Sequence, residues 1–326
     1  MKVMFLTRGD VQKVISMREV IEYVEKAFKA KGLGKVQMPP KIYVNFPNGD
    51  FRAMPCYIPE FGFGGVKIVN VHPLNPEKYN LPTVMATILL IDPETGKPLA
   101  IMEGGLITDM RTGAAGGIAA KYLARKDSKV VGMVGAGAQA KTQLLALNEV
   151  MDVEEVKICA KTSSECRKFI KDMSYLGLDI YEKKIDDVVK NSDILVTATP
   201  VTKPIVKDEW VGEGMHINAI GADAPGKQEL DPNILKRAKI FVDDYEQACH
   251  SGEVNVPLAK GIIKKEDICG ELSDVIVGKK KGRVDDTDIT IFDSTGLAIQ
   301  DLATAVLVYE KAKKLDLGNE IPFFAQ

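Results

Sequence analysis

Hydrophobic positions near the start of the chain fall three and four residues apart. Val20, Val24, Ala27 and Phe28 mark one helical face, and Gly32 closes the run. Ser16 and Glu19 ahead of them fit a capping box, in which each side chain satisfies the other's free backbone N–H. The chain is therefore expected to open on this helix. From residue 41 the period drops to two. KIYVNF and FRAMPCYI flank the turn signal PNGD, GGVKIVNV reads as a further strand, and TVMATILLID and PLAIMEGG flank PETGK as a second hairpin. The opening 105 residues thus predict one helix followed by mostly antiparallel strands.

After that point strand and helix alternate. TGAAGGIAAKYLA carries small residues suited to a closely packed helix. KVVGMVGAG, EVKICA, DILVTAT, GMHINAIGA, AKIFVDD and ITIFDSTG are short apolar runs separated by helical patterns. Strands buried on both faces look like this, and the alternation predicts an α/β fold with a parallel sheet. A last long helix is expected over roughly 296–314, with Leu297, Ile299, Leu302, Val306 and Leu307 available for burial. No internal repeat or low-complexity segment interrupts the pattern.

The 326 residues suffice for about two domains. With 45% hydrophobic and 27% charged residues and a net charge of −2, the chain lacks the basic footprint of a nucleic-acid or anionic-membrane binder. No apolar stretch approaches the length of a membrane span. MKVMFL is too short for a signal core and is followed by Arg8 and Asp10, so a cytoplasmic protein is expected. Five scattered cysteines without CxxC spacing read as reduced thiols, and three distant histidines give a metal site little support, Cys249-His250 being the only adjacent pair.

The chemistry starts at VVGMVGAGAQAKTQLLAL, which carries G-x-G-x-x-A at Gly135, Gly137 and Ala140 between an apolar strand and a helix. Gly135 allows a tight turn, Gly137 lets backbone approach a pyrophosphate, and Ala140 lets helix and strand pack closely. The helix N-terminus offers free N–H groups to phosphates. An NAD site usually carries a carboxylate about 20 residues on, to hold the ribose 2′-hydroxyl. Here EVKICA ends at Ala160 and is followed by Lys161, Thr162 and Ser163. A cation and hydroxyls suit a 2′-phosphate, so the cofactor is expected to be NAD(P), with NADP favoured over NAD. The plain alternative is a solvated loop at Lys161.

Ligands of open α/β sheets lie beyond the carboxyl ends of the strands. Thr197 and Thr199 end one strand, Asp223 follows another, and Ser294 a third. Asp223, just after Gly221, is a candidate general acid or base, against the simpler reading that it caps a turn. Arg52 and Lys67 interrupt strand patterns and Arg111 lies near the start of the small-residue helix. Singly each is more often structural. Together they suit recognition of a carboxylate.

MPPKIYVNF, FRAMP, VKIVNVHP, LPTVMATILLID, TDMRTGAAGGIAAKYLA, GAGAQA, INAIGADAPGKQELD and FDSTGLAIQDLATA together resemble the ornithine cyclodeaminase/μ-crystallin family over nearly the whole chain, and within it the archaeal alanine-dehydrogenase branch. The resemblance implies a Rossmann-type doubly wound parallel sheet at 111–299, binding NAD(P) and inserted into an α+β, mostly antiparallel substrate and dimerisation domain at 1–110 plus 300–326. It also implies a homodimer. Lys67 and Asp223 match the family's acid/base pair, and Arg111 a residue between cofactor phosphate and substrate carboxylate. Thr83, Ala138, Gln139, Thr199, Asn218, Ala219, Lys227 and Ser294 fall at dinucleotide-contacting positions.

One departure bears on activity. Cyclodeaminases carry a glutamate before their MP, where this chain has Arg52. An arginine there repels the distal ammonium of ornithine and suits a small acid. The implied reaction interconverts L-alanine with pyruvate and ammonia through an imine, with Arg52, Lys67 and Arg111 binding substrate. Ketimine reduction and ornithine cyclodeamination are the alternatives, and a μ-crystallin-like NADP and small-ligand binder the non-enzymatic one.

Overall fold

In the computed structural model, which describes residues 2–323, the first element is a strand, β1 (Lys2–Leu6), and not the expected helix. A helix at Arg8–Val14 follows, and only then the amphipathic helix, Met17–Gly32. Ser16 does stand at its N-cap, but its hydroxyl donates to the Glu19 carboxylate and makes no bond to the helix backbone. The reciprocal box forms one helix earlier, between Thr7 and Asp10.

The chain divides into two units, with divisions between Arg111 and Thr112 and between Gly296 and Leu297. In the first, β1 joins β2 (Ile42–Phe46), β3 (Gly49–Ile58), β4 (Phe63–Val71), β5 (Val84–Ile91) and β6 (Pro98–Glu103) in one sheet. Its order is terminal strand Asn319–Pro322, then β1-β6-β5-β4-β3-β2. The two hairpins form as predicted, with Pro47 and Asn48 turning the first. β1 is the exception to antiparallel pairing, running parallel to β6. The C-terminal helix Ala298–Lys314 is buried from Ala298 through Val308. A helix that is enclosed all round is a core element, and this one packs on Met17–Gly32 and on β3, β4 and β5.

The second unit holds eight parallel strands: β7 (Val130–Val134), β8 (Glu155–Cys159), β9 (Asp179–Glu182), β10 (Ile194–Thr197), β11 (His216–Ala219), β12 (Lys239–Val242), β13 (Ile268–Glu271) and β14 (Thr290–Asp293). Their order is β13-β12-β14-β11-β10-β7-β8-β9. Ile194 and Val196 enter one core cluster and Leu195 the other, so both faces are covered. That is why these strands read as unbroken apolar runs. β9 and β13, at the two edges, carry no such run and were not expected. Strand order reverses between β7 and β10, which makes their carboxyl ends the switch point where such sheets take ligands.

Candidate active site

In the first unit a cation is buried because strand alternation puts it there. β4 turns Lys67 and Val69 to the core, and Lys67 stands opposite Met54 on β3 and Ile88 on β5, both buried. Lys67 is 2% exposed. Its Nζ lies 2.7 Å from Asp301 Oδ2 and donates to Thr108 Oγ1 at 3.4 Å. Asp301 Oδ1 accepts from Arg111 Nε at 2.8 Å, and Gln300 Oε1 accepts from Arg111 Nη1 at 2.8 Å. Burial pulls the Lys67 ammonium down to about 7; the Arg111 charge acts in the same sense and Asp301 opposes both. On helix Gly105–Leu123, burial also pushes Asp109 up to about 6.

Arg52 belongs to the same inward face. It lies opposite Val69, one diagonal step from Lys67. It is buried, donates from Nε to Asp50 Oδ1 at 2.9 Å, and places its guanidinium 5.4 Å from the Tyr43 ring centre. Neither Arg52 nor Lys67 faces solvent, the usual place for a cation in a strand. Thr83 lies just before β5, at the other end of the β4–β5 ladder, where its carbonyl accepts the His72 N–H.

The second unit gathers its candidates at strand ends. Gly135 follows β7 with φ +112°, and a Cβ there would stand 2.5 Å from the Ala198 carbonyl oxygen after β10. Only glycine lets the two loops approach so closely. Gly137 has open space where a Cβ would sit and precedes helix Ala138–Val150, while Ala140 is buried against the sheet. Ala138 is exposed and Gln139 half-buried beside this opening. A glycine cradle at a helix N-terminus fits a dinucleotide pyrophosphate.

After β8, Ala160 is half-buried and Lys161 and Thr162 exposed, with Thr162 capping helix Ser163–Met173 by accepting the Glu165 N–H. Asn218 is fully enclosed: its amide donates to Gly116 O and Gln143 Oε1, and its oxygen meets His216 Nε2 at 3.0 Å. Ala219 is buried and its carbonyl accepts the Ser294 N–H at 3.1 Å, so β11 and β14 end together. Ser294 is 3% exposed.

Asp223, half-buried after β11, is paired with Lys227 at 2.5 Å. Beneath them lies a residue that the sequence reading passed over. Buried Glu229 accepts from Thr199 N–H at 2.8 Å, Thr199 Oγ1 at 2.6 Å and Gly221 N–H at 3.0 Å. One carboxylate thus braces the loops after β10 and β11. Burial raises its pKa against those hydrogen bonds. Nearby Glu253 accepts the Glu229 and Leu230 N–H groups, and burial holds it well above the usual carboxylate range. Asp301, Gln300 and Glu229 were missed. For Gln300 and Asp301 the signal was a polar pair inside an apolar helical run, whereas Glu229, in the polar segment ADAPGKQELD, gave none. Among the described residues, no cluster of three or more His, Cys, Asp or Glu is arranged to hold a metal, and no helix is long and apolar enough to cross a membrane.

Compared with known proteins, residues 1–316 match the ornithine cyclodeaminase/mu-crystallin family. The chain is 53% identical to the alanine dehydrogenase of Archaeoglobus fulgidus over 324 residues, 99% of each chain. Among solved structures it is similar to an archaeal alanine dehydrogenase dimer with bound NAD, at TM-score 0.97 and 53% identity, covering 99% of this chain and 100% of that one. It is also similar to the Δ1-pyrroline-2-carboxylate reductase of Thermococcus litoralis in complex with NADH and L-proline. There the TM-score is 0.95 and the identity 42%, covering 98% of this chain and 100% of that one.

Proposed function

The chain belongs to the ornithine cyclodeaminase/mu-crystallin family, and from that premise we propose that it is an NAD(P)-dependent amino-acid dehydrogenase interconverting L-alanine with pyruvate and ammonia. Lys67 is the observation that carries the reading. A lysine enclosed between Met54 and Ile88, with its pKa drawn down to about 7, is poised to give and take protons near neutrality. A binding protein needs no such group, and a hydrocarbon side chain would pack there at lower cost.

A bound dinucleotide would supply a hydride acceptor in one direction and a donor in the other. By the family resemblance Thr83, Arg111, Gly135, Gly137, Ala138, Gln139, Lys161, Thr162, Thr199, Asn218, Ala219, Lys227 and Ser294 would hold it. Arg52, Arg111 and Lys67 hold the substrate carboxylate. In the oxidative direction alanine loses a hydride and a proton to give an imine, and water adds at the imine carbon. Asp223 accepts a proton from that water, Lys67 handles the proton on the developing oxygen, and ammonia leaves to give pyruvate. Atoms balance as alanine, oxidised dinucleotide and water against pyruvate, ammonium, reduced dinucleotide and a proton.

NADP is the favoured dinucleotide, on the strength of Ala160 standing where a carboxylate would be, with Lys161 and Thr162 next to it. The protein assembles as a homodimer through the first sheet's outer face. Ile42, Val44, Ile68 and Met85 share that face by register and remain exposed. Five free cysteines support placement in the reducing cytoplasm.

A second reading, reduction of a cyclic ketimine carboxylate, draws support from the 42% identity to the Thermococcus reductase. One assay separates these readings: nicotinamide absorbance followed with pyruvate plus ammonia, with Δ1-pyrroline-2-carboxylate, and with ornithine, each with NADH and NADPH or their oxidised forms. Turnover with pyruvate and ammonia is expected. Turnover of the cyclic imine alone would replace the reading with the second one, and proline made from ornithine would remove both.

A further inference from the structure

The C-terminal helix contributes a charged residue where helices of this burial carry none. Asp301 is 1% exposed, within a stretch of Ala298 to Val308 that is otherwise apolar but for Gln300 and Thr304. Each of its oxygens is committed to a different cation, Oδ2 to Lys67 at 2.7 Å and Oδ1 to Arg111 at 2.8 Å. Gln300, its neighbour in the helix, takes a second nitrogen of the same guanidinium. The two grips, on Nε and Nη1, fix the plane of the Arg111 fork, a geometry that lysine in its place would not reproduce.

We infer that Asp301 is a positioning residue, which uses one carboxylate to hold Lys67 and Arg111 as a single array and leaves that array with one net positive charge. The inference rests on the roles given to Lys67 and Arg111 above. Two buried cations against one carboxylate leave one unit of charge for an anionic ligand, and a substrate monocarboxylate supplies its match. Arg52 is already paired with Asp50. A second negative charge on the helix would cancel the attraction, and none at all would leave two cations repelling each other in the core.

Lys67 is surrounded from several elements. Asp301 faces it from the C-terminal helix, Arg111 and the Thr108 hydroxyl from helix Gly105–Leu123, and the charge of Lys41 reaches it from the segment before β2. Asp109 and the Cys56 thiol also interact with its charge. Of these, Asp301 is the one whose negative charge favours the ammonium form most directly, against burial, Arg111 and Lys41. Losing that charge must therefore shift the lysine's titration to lower pH.

The test compares full-length wild type, Asp301→Asn and Asp301→Glu. Carbamylation of Lys67 by cyanate is followed by peptide mass spectrometry across a pH series, a readout that needs no turnover. In Asp301→Asn the Lys67 titration should fall by about one pH unit or more. In Asp301→Glu it should stay within about half a unit, because the charge remains. KM for pyruvate should rise about tenfold or more in both, since the array is displaced or broken. A folded Asp301→Asn protein, judged by NADH binding, whose Lys67 titrates as in wild type would overturn the inference. If Asp301→Asn does not fold, Asp301→Glu decides: raised KM with unmoved titration supports it, and unchanged KM overturns it. A wild type that does not turn over pyruvate, yet shows the titration shift on Asp301→Asn, keeps the positioning role and removes the proposed substrate.

Discussion

Lys227 Nζ lies 2.5 Å from Asp223 Oδ1, four residues apart on the loop that leaves β11. Both side chains are partly solvated, 26% and 37% exposed, so the pair adds little to stability. The pair sets the Asp223 carboxylate beside an ammonium on the loop after β11. Asp223→Asn should keep dinucleotide binding and lose turnover by on the order of a hundredfold or more, because an amide cannot shuttle a proton. Stopped-flow binding of NAD(P)H beside steady-state rates measures both, and a variant within a few-fold of wild type would reduce Asp223 to a turn residue.

Arg52→Ala should weaken pyruvate use about ten- to a hundredfold, since a charge-assisted hydrogen bond to a carboxylate contributes roughly 1.5–3 kcal/mol. Arg52→Glu should fall further toward pyruvate by adding repulsion. Unchanged kcat/KM for pyruvate in Arg52→Ala would show that the guanidinium serves contacts within the fold, such as those to Asp50 and Tyr43, and not substrate.

Lys161 is exposed and lies two residues past the end of β8. Equilibrium titration should show NADPH bound more tightly than NADH, and Lys161→Ala should narrow the gap by weakening NADPH alone. NADH binding tighter than NADPH in wild type would sink the preference.

Asp293, at the end of β14, is fully buried and accepts the Val254 N–H through Oδ2. Burial pushes it up to about 8, and the Asp243 charge adds to the shift. The folded chain thus retains a proton that the unfolded chain releases above its ordinary value of 3.8. Stability from this group is full below that value and is lost as pH rises toward about 8. Asn imitates the protonated acid, so the stability of Asp293→Asn relative to wild type should improve as pH rises from 5 to 9. Urea unfolding of both proteins across that range measures the difference; a difference that does not change with pH would show Asp293 to be ionised in the fold.

The outer face carrying Ile68 offers a direct check on assembly. Ile68→Asp places a charge among Ile42, Val44 and Met85 and should convert a dimer to monomer in sedimentation equilibrium. A wild type that sediments as a monomer contradicts the assignment.

The parts of this fold that local pattern reveals are those whose neighbours in sequence are also their neighbours in space. The glycine turn after β7 and the Ile42–Ile58 hairpin each announce themselves within a short local stretch. β1 does not, because KVMFL becomes a strand through partners at β6 and Asn319–Pro322, near the other end of the chain. Lys67 was visible as a misfit in a strand, whereas its partner Asp301 was not. In a helix a single aspartate is ordinarily assigned to the wet side, and only the all-round burial from Ala298 to Val308 rules that side out. Glu229 was hidden for a related reason: its two strand-end loops are joined by side-chain bonds that no periodicity reports.

The first unit is discontinuous, and its closing helix is made after the whole parallel sheet. A ribosome therefore releases Lys67 and Arg111 long before it releases the carboxylate that reconciles them. Until Ala298–Lys314 emerges, the early strands hold two cations without their counterion and a sheet face without its cover, and they have reason to remain loose. The parallel sheet can fold meanwhile as an uninterrupted stretch. Chemistry at Lys67 is thus coupled to completion of synthesis: a nascent chain stopped short of Asp301 could build a nucleotide cradle without the array proposed to hold the substrate.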